Sequence, residues 1–192
     1  MIVWRKRKAS IKTEATIPST SAILFLPTKE NTHATRGRER KSNRNRRLLE
    51  IGKAEVVQHG RDVAIFGLGA MFEIAEEAAR KLEERGISVA LINPRWIKPM
   101  DTGTLEFFAR SVDVVCTIED HVLHNGFGCA VMEHLHSQMI NTPVVRIGWP
   151  DQFIEHGAVP ILRKKHGITA DALVEKVLPL LRKKTKLHPS VA

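Results

Sequence analysis

From residue 50 onward the chain alternates short β-branched and apolar runs with stretches in which apolar residues recur every three or four positions, the pattern of a sheet covered by helices on both faces. Ala54 to Gln58 and Asp62 to Phe66 read as strands separated by the turn His59-Gly60. A helix follows from about Ala70 to Arg85, where Met71, Ile74, Ala75, Ala78 and Leu82 fall on one face and Gly86 sits where a left-handed cap is wanted. Ile87 to Ile92 is the next strand. Pro94 and Pro99 then hold the connection extended until Asp101, a good N-cap, opens a helix carrying Leu105, Phe107 and Phe108. Val112 to Ile118 is the most continuous apolar run and reads as a central parallel strand buried on both faces. A helix from Gly126 to Met139, a strand from Val144 to Ile147, a Pro-interrupted loop, and helices over Val159 to Lys165 and Ala170 to Arg182 complete the order β-β-α-β-α-β-α-β-α-α. No internal repeat is present.

Charge divides the chain in the same place. Residues 1–49 carry 13 Lys and Arg against the three acids Glu14, Glu30 and Glu39, whereas residues 50–192 carry 17 against 18, so the whole net charge of +9 lies in the first quarter. This predicts a basic, disordered segment over residues 1–47 and a globular domain over 48–192, for which a hydrophobic fraction of 43% is sufficient. Clustered Arg and Lys could neutralise phosphates. No Tyr or Trp is interleaved along Arg36 to Arg47 to stack bases, which disfavours nucleic acid; a Ser-, Thr- and Arg-rich transit peptide and a translated remnant of a lost upstream portion both remain open. Ala22 to Leu26 is too short to cross a bilayer, so no membrane span is expected. The two cysteines, Cys116 and Cys129, lack metal-type spacing and suit a reducing interior: the cytoplasm, or an organelle if the first segment is a transit peptide.

Three patterns are candidates for chemistry. Gly67-Leu-Gly69 lies between a strand and a helix, but the third glycine of a dinucleotide fingerprint is replaced by Phe72 and the following strand ends in Asn93 instead of an acid. A tight turn with close helix packing is the better reading. Glu119, Asp120 and His121 stand at the carboxyl end of the longest apolar strand, where open α/β sheets place ligands, and a carboxylate beside an imidazole can do acid-base work. The competing reading has the two acids capping backbone amides and His121 lining a subunit contact. His121, His124, His134 and His136 do not form a metal set, because His134 and His136, two apart on a helix, face different directions. No metal-binding residue is assigned.

The strings Asn93-Pro-Arg-Trp-Ile-Lys-Pro-Met-Asp101, Ile118-Glu-Asp-His-Val-Leu-His-Asn-Gly-Phe-Gly128 and Gly148-Trp-Pro-Asp-Gln-Phe-Ile-Glu-His-Gly157 are more specific than any packing rule requires. Together they resemble the C-terminal domain of 1-deoxy-D-xylulose-5-phosphate synthase, of the transketolase superfamily, over residues 48 to 182. The resemblance implies a three-layer α/β/α sandwich with a mostly parallel, mixed five-stranded sheet. It also implies an enzyme that joins pyruvate to glyceraldehyde 3-phosphate, for isoprenoid precursors, using thiamine diphosphate and magnesium. In that superfamily a Gly-Asp-Gly stretch and a downstream Asn hold the metal and diphosphate, and no Gly-Asp-Gly occurs in these 192 residues. The family's Arg-Tyr-Pro-Arg-Gly type segment, whose arginine helps hold the substrate phosphate, has no counterpart in Arg36 to Arg47.

The resemblance therefore implies a piece of an enzyme, inactive alone, that binds no cofactor itself and packs as a homodimer or against a chain carrying the two cofactor-binding domains. No catalytic residue is assigned beyond the weak candidates Glu119, Asp120 and His121. Trp96, Phe127, Trp149 and Phe153 are the expected exposed interface residues, since each is placed in a connection. The rival readings are a 2-oxo-acid dehydrogenase β-subunit domain, which the Trp149 to Gly157 string disfavours, and a binding module using its basic arm.

Overall fold

A computed structural model describes residues 49–181; the basic segment predicted over residues 1–47 lies outside them. Five strands and five helices follow the order expected from the hydrophobic pattern: β1 (Glu55–Gln58), β2 (Val63–Gly67), α1 (Phe72–Glu83), β3 (Val89–Asn93), α2 (Thr102–Ser111), β4 (Val114–Val122), α3 (Phe127–Ser137), β5 (Val144–Trp149), α4 (Val159–Lys165) and α5 (Ala170–Val177). A 3-10 turn, Gly69–Met71, precedes α1, so that helix starts two residues later than its apolar period suggests. Gly86 adopts φ +77° after α1, as a left-handed cap requires.

The sheet order is β1-β3-β2-β4-β5, with β1 antiparallel to β3 and every other neighbour parallel. The fold is the expected three-layer α/β/α sandwich with a mostly parallel, mixed five-stranded sheet. Alternation along each strand sends successive side chains to opposite layers. Val63 and Ile65 of β2 pack with α1 and α5, through Ala75, Ala78, Leu82, Leu173, Val174 and Val177. Ala64 and Phe66 pack with α2 and α3, through Leu105, Phe108, Val131 and Leu135. Each fully buried Leu, Ile or Val contributes about 2 kcal/mol before chain entropy is counted. Lys81 and Asp171, 2.6 Å apart, join α1 to α5 at the surface.

β4 is an interior strand, parallel to both its neighbours and buried from Val114 to Glu119, as its continuous apolar run predicts, while β2 holds the middle place of the sheet. β4 also runs on to Val122, through the three polar residues Glu119, Asp120 and His121. In α2, Leu105 and Phe108 are buried while Phe107 is 63% exposed, because two positions beyond Leu105 the helix has turned its side chain away from the sheet.

Asp101 links the sheet edge to a helix. Its carboxylate accepts from the Thr104 amide at 3.1 Å and hydroxyl at 2.9 Å, capping α2, and from the Ala54 amide at 3.0 Å just before β1. Partial burial pushes its pKa up, but the hydrogen bonds from Ala54 and Thr104 and the nearby Lys53 outweigh it and hold the carboxyl below its ordinary value. A depressed native pKa means that this stabilisation is complete above the unfolded value, about 3.9, and is lost as pH falls through the native one. Asn is as good an N-cap as Asp, but it can face the three donors with only one accepting oxygen, so Asp101→Asn is expected to lower unfolding stability at pH 7 by about 1 kcal/mol, and urea denaturation at pH 7 and pH 3 should show the deficit shrinking in acid. A deficit of the same size at both pH values would contradict the role of the carboxylate.

Candidate functional site

The strand order reverses between β2 and β4, since β2 leads through α1 to β3 on one side and β3 leads through α2 to β4 on the other. Ligands of open α/β sheets bind at the carboxyl ends of the strands at such a point, against a helix N-terminus. Here the gap is closed. The Leu68 amide donates to the Ile118 carbonyl at 2.9 Å. A Cβ on Gly67 would lie 2.7 Å from that of Ala75, and Gly69 turns at φ +58°. The Gly67-Leu-Gly69 pair thus serves a tight turn that lets α1 press on the sheet, as the departures from the dinucleotide fingerprint indicated.

Glu119 occupies the place an anion would take. It is wholly buried, and its two carboxylate oxygens accept from the Phe127 amide at 2.5 Å and the Gly128 amide at 2.9 Å, the first two amides of α3. Those amides have no partner within the helix, and the N-cap residue is Gly126, which has no side chain to offer. The carboxylate of Glu119, seven residues upstream of that N-cap, replaces it, on the positive end of the helix dipole. The room comes from glycine: a Cβ on Gly126 would stand 2.3 Å from Glu119 Oε2, and one on Gly148 of β5 3.1 Å from Glu119 Cγ.

Asp120 points to the opposite layer. One of its oxygens accepts from Trp149 Nε1 at 2.7 Å and the other from Arg163 Nη2 of α4 at 2.8 Å. Trp149 meets the His166 ring edge-on, with centroids 5.8 Å apart, and Glu155 pairs with Lys165 and lies 3.9 Å from His166 Nε2. His121 is exposed, its Nδ1 2.8 Å from the Val122 carbonyl oxygen. The strand therefore separates the three adjacent residues instead of gathering them, and no hydrogen bond or ion pair joins either carboxylate to the imidazole among the described residues.

The four aromatic interface candidates also separate. Phe127 is 3% exposed and packs with Val131 and Leu135, because it begins α3 on its sheet-facing side; it is a core residue, not a surface one. Trp149 ends β5, packs against the α1/α5 core and is tied to Asp120, so it is half-buried structure and not part of a loop. Trp96 is half-buried with its Nε1 enclosed and unpartnered. Phe153 alone stands fully in solvent.

Several partners were not visible in the sequence. Arg163, 43 residues from Asp120, carries no local signal of that pairing. Arg146 donates to the Leu123 carbonyl at 3.0 Å and to Cys129 Sγ at 2.9 Å, crossing from β5 to α3. The cavity beneath the 94–100 connection, lined by Phe66, Pro94, Met100, Leu105 and Phe127, has about 10 Å³, room for no organic ligand. Among the described residues no three His, Cys, Asp or Glu side chains are placed to hold a metal ion, and no helix is long and apolar enough to cross a membrane.

Glu119→Gln keeps the shape but removes the charge and turns an amide donor toward a donating N–H. Charge-assisted bonds in a dry site contribute about 1.5–3 kcal/mol, so the variant should lose about 2 kcal/mol or more by urea denaturation. Asp120→Asn, at an exposed pair, should lose less than about 1 kcal/mol. The reverse ranking would show that the buried carboxylate does not organise this edge.

Comparison with known proteins agrees with this geometry. The family model described as transketolase, C-terminal domain, matches residues 52–173. A 1-deoxy-D-xylulose-5-phosphate synthase of Methylacidiphilum infernorum is 62% identical over 135 residues, 70% of this chain and 21% of that protein. The synthase of Acidobacterium capsulatum is 50% identical over 139 residues, 72% of this chain and 22% of that protein. The chain thus spans about a fifth of the length of the curated relatives it matches. Among solved structures, one described as a split-gene transketolase, inactive beta4 tetramer, superposes with a TM-score of 0.64 at 38% identity, covering 70% of this chain and 45% of that one. The resemblance first carried by the Trp149 to Gly157 string is shown by these matches: the chain belongs to the transketolase C-terminal domain family, and its domain is of the 1-deoxy-D-xylulose-5-phosphate synthase type.

Proposed function

We propose that this chain supplies the C-terminal domain of a 1-deoxy-D-xylulose-5-phosphate synthase-like transferase and acts by packing, with the thiamine-diphosphate-binding domains provided by another polypeptide. The observation that carries this reading is the self-filled carboxyl edge of the sheet: the amides that could take a diphosphate already hold Glu119. The described residues offer no cluster of metal-binding side chains, and the cavity beneath the 94–100 connection is too small for thiamine diphosphate. The chemistry that joins pyruvate to glyceraldehyde 3-phosphate is accordingly assigned elsewhere, and no step of it is assigned to Glu119, Asp120 or His121.

A further finding supports the reading: a similar domain occurs in a solved structure described as a split-gene transketolase, inactive beta4 tetramer. The same reading makes the physiological partner a complementary chain, beside any pairing of the domain with itself. Cys116 and Cys129 are both free, which fits a reducing compartment such as the cytoplasm.

The test is reconstitution. The purified chain is mixed with a synthase of the matched type truncated before its C-terminal domain, and carbon dioxide release from pyruvate is followed with glyceraldehyde 3-phosphate, magnesium and thiamine diphosphate. Activity is expected in the mixture and in neither component. Turnover by the chain alone, or calorimetry showing it to bind thiamine diphosphate at micromolar concentration, which corresponds to about −8 kcal/mol, would overturn the reading, as would a silent mixture.

A further inference from the structure

Of the four enclosed side-chain polar atoms that lack a hydrogen-bond partner among the described residues, two belong to one corner of the fold: Nε of Arg163 in α4 and Nε2 of His166, the C-cap of that helix. Three positions apart, the two residues share one side of the helix. The His166 side chain is only 10% exposed and meets the Trp149 ring edge-on. Arg163 is already neutralised through Nη2 by Asp120. His166 lacks an acceptor, and the carboxylate that faces it stops short. Glu155, on the loop after β5, has Oε2 3.9 Å from His166 Nε2 while its Oε1 accepts from Lys165.

Solvent decides between the two cations. Lys165 and Glu155 are 60% and 47% exposed, and an ion pair so open to water holds a loop weakly. An imidazolium withdrawn from water is disfavoured unless an anion accompanies the proton. Glu155 can be that anion, because the hydrogen bond from Lys165 holds its carboxyl below the ordinary value and keeps it ionised where imidazoles change charge. The other charged groups at this corner are Arg163 and Lys165 on α4 and Asp120 on β4, and Asp120 is spent on Arg163 and on Trp149 of β5. His156, the next titratable residue of the loop, is exposed. Protonation of His166 and movement of the loop are thereby one event. We infer that His166 and Glu155 form a proton-operated clasp: a proton on Nε2 draws the carboxylate in by about 1 Å, to the length of a charge-assisted hydrogen bond, and fastens the 150–158 loop beside Trp149. Loss of the proton returns Glu155 to Lys165, the released arrangement that the structure shows. The clasp lies within this chain and operates whichever polypeptide the domain packs against.

Nuclear magnetic resonance of the full chain between about pH 8 and about pH 5, the range in which imidazoles titrate, tests it. The reporters are the Trp149 indole and the amides of residues 151–157. Protection of those amides, corrected for the pH dependence of exchange in an unfolded chain, is expected to rise about tenfold on acidification, and the indole signal should move along the same curve. His166→Gln and Glu155→Gln should each abolish the rise, whereas His156→Gln should keep it. Lys165→Met, at an exposed position, removes the competitor for Glu155 and should move the curve to higher pH. Reporters that ignore pH, a rise that survives in His166→Gln or Glu155→Gln, a rise lost in His156→Gln, or a Lys165→Met curve at or below the wild-type pH would overturn the inference. If either buried-side variant fails to fold, the direction of the Lys165→Met shift decides.

Discussion

Glu119 carries a carboxylate out of contact with bulk solvent, and such a group is tolerated only where donors and compensating charge replace its hydration, since the uncompensated cost is several kcal/mol. The first turn of α3 supplies both, through two amides that have no other partner and through the helix dipole. Much of the carboxyl edge of the sheet depends on this contact. It draws the end of β4 onto α3, requires glycine at 126 so that the helix can close over the side chain, and fixes the strand phase that turns Asp120 toward the other layer. From Asp120 the order passes to Trp149 and Arg163, and so to the loop that displays Phe153.

The same contact explains how a sheet built like a nucleotide-binding one is closed at this edge. An open α/β sheet offers an anion site where its strand order reverses. This chain fills the neighbouring helix terminus with its own side chain and closes the β2/β4 gap with the Leu68 to Ile118 hydrogen bond. Both carboxylates are engaged structurally, Glu119 with two backbone amides and Asp120 with Trp149 and Arg163. What the edge gains is rigidity.

How much of this was legible in the sequence follows from the range of the forces. Strands and helices came from periodicity because burial is set by near neighbours, so β2, β3 and α1 fall within a few residues of their expected spans. Turn glycines and the Asp101 cap were readable for the same reason, their partners being three or four residues away. That β4 lies inside the sheet was readable from its apolar run, but the strand order was not, since β2 and β4 are both apolar and only pairing decides which holds the middle place. Phe127 and Trp149 look like loop residues because glycine or proline adjoins each, yet Phe127 opens a helix and Trp149 closes a strand. The Asp120–Arg163 and Arg146–Cys129 contacts span 43 and 17 residues and have no local periodicity to announce them. Glu119 sits between: its capping role was one of two readings, and choosing between them required knowing which helix end it faces.

Amide hydrogen exchange at Phe127 and Gly128 tests the central claim most directly. The first amides of a helix lack intrahelical partners and ordinarily exchange rapidly. If Glu119 holds these two in a dry site, they exchange only through large-scale opening, as slowly as the amides of β2 and β4, and protection at both positions is the predicted result. Exchange at the rate of ordinary exposed helix N-termini would show that the carboxylate does not close this edge, and the reading of the domain as a self-filled packing unit would fail with it.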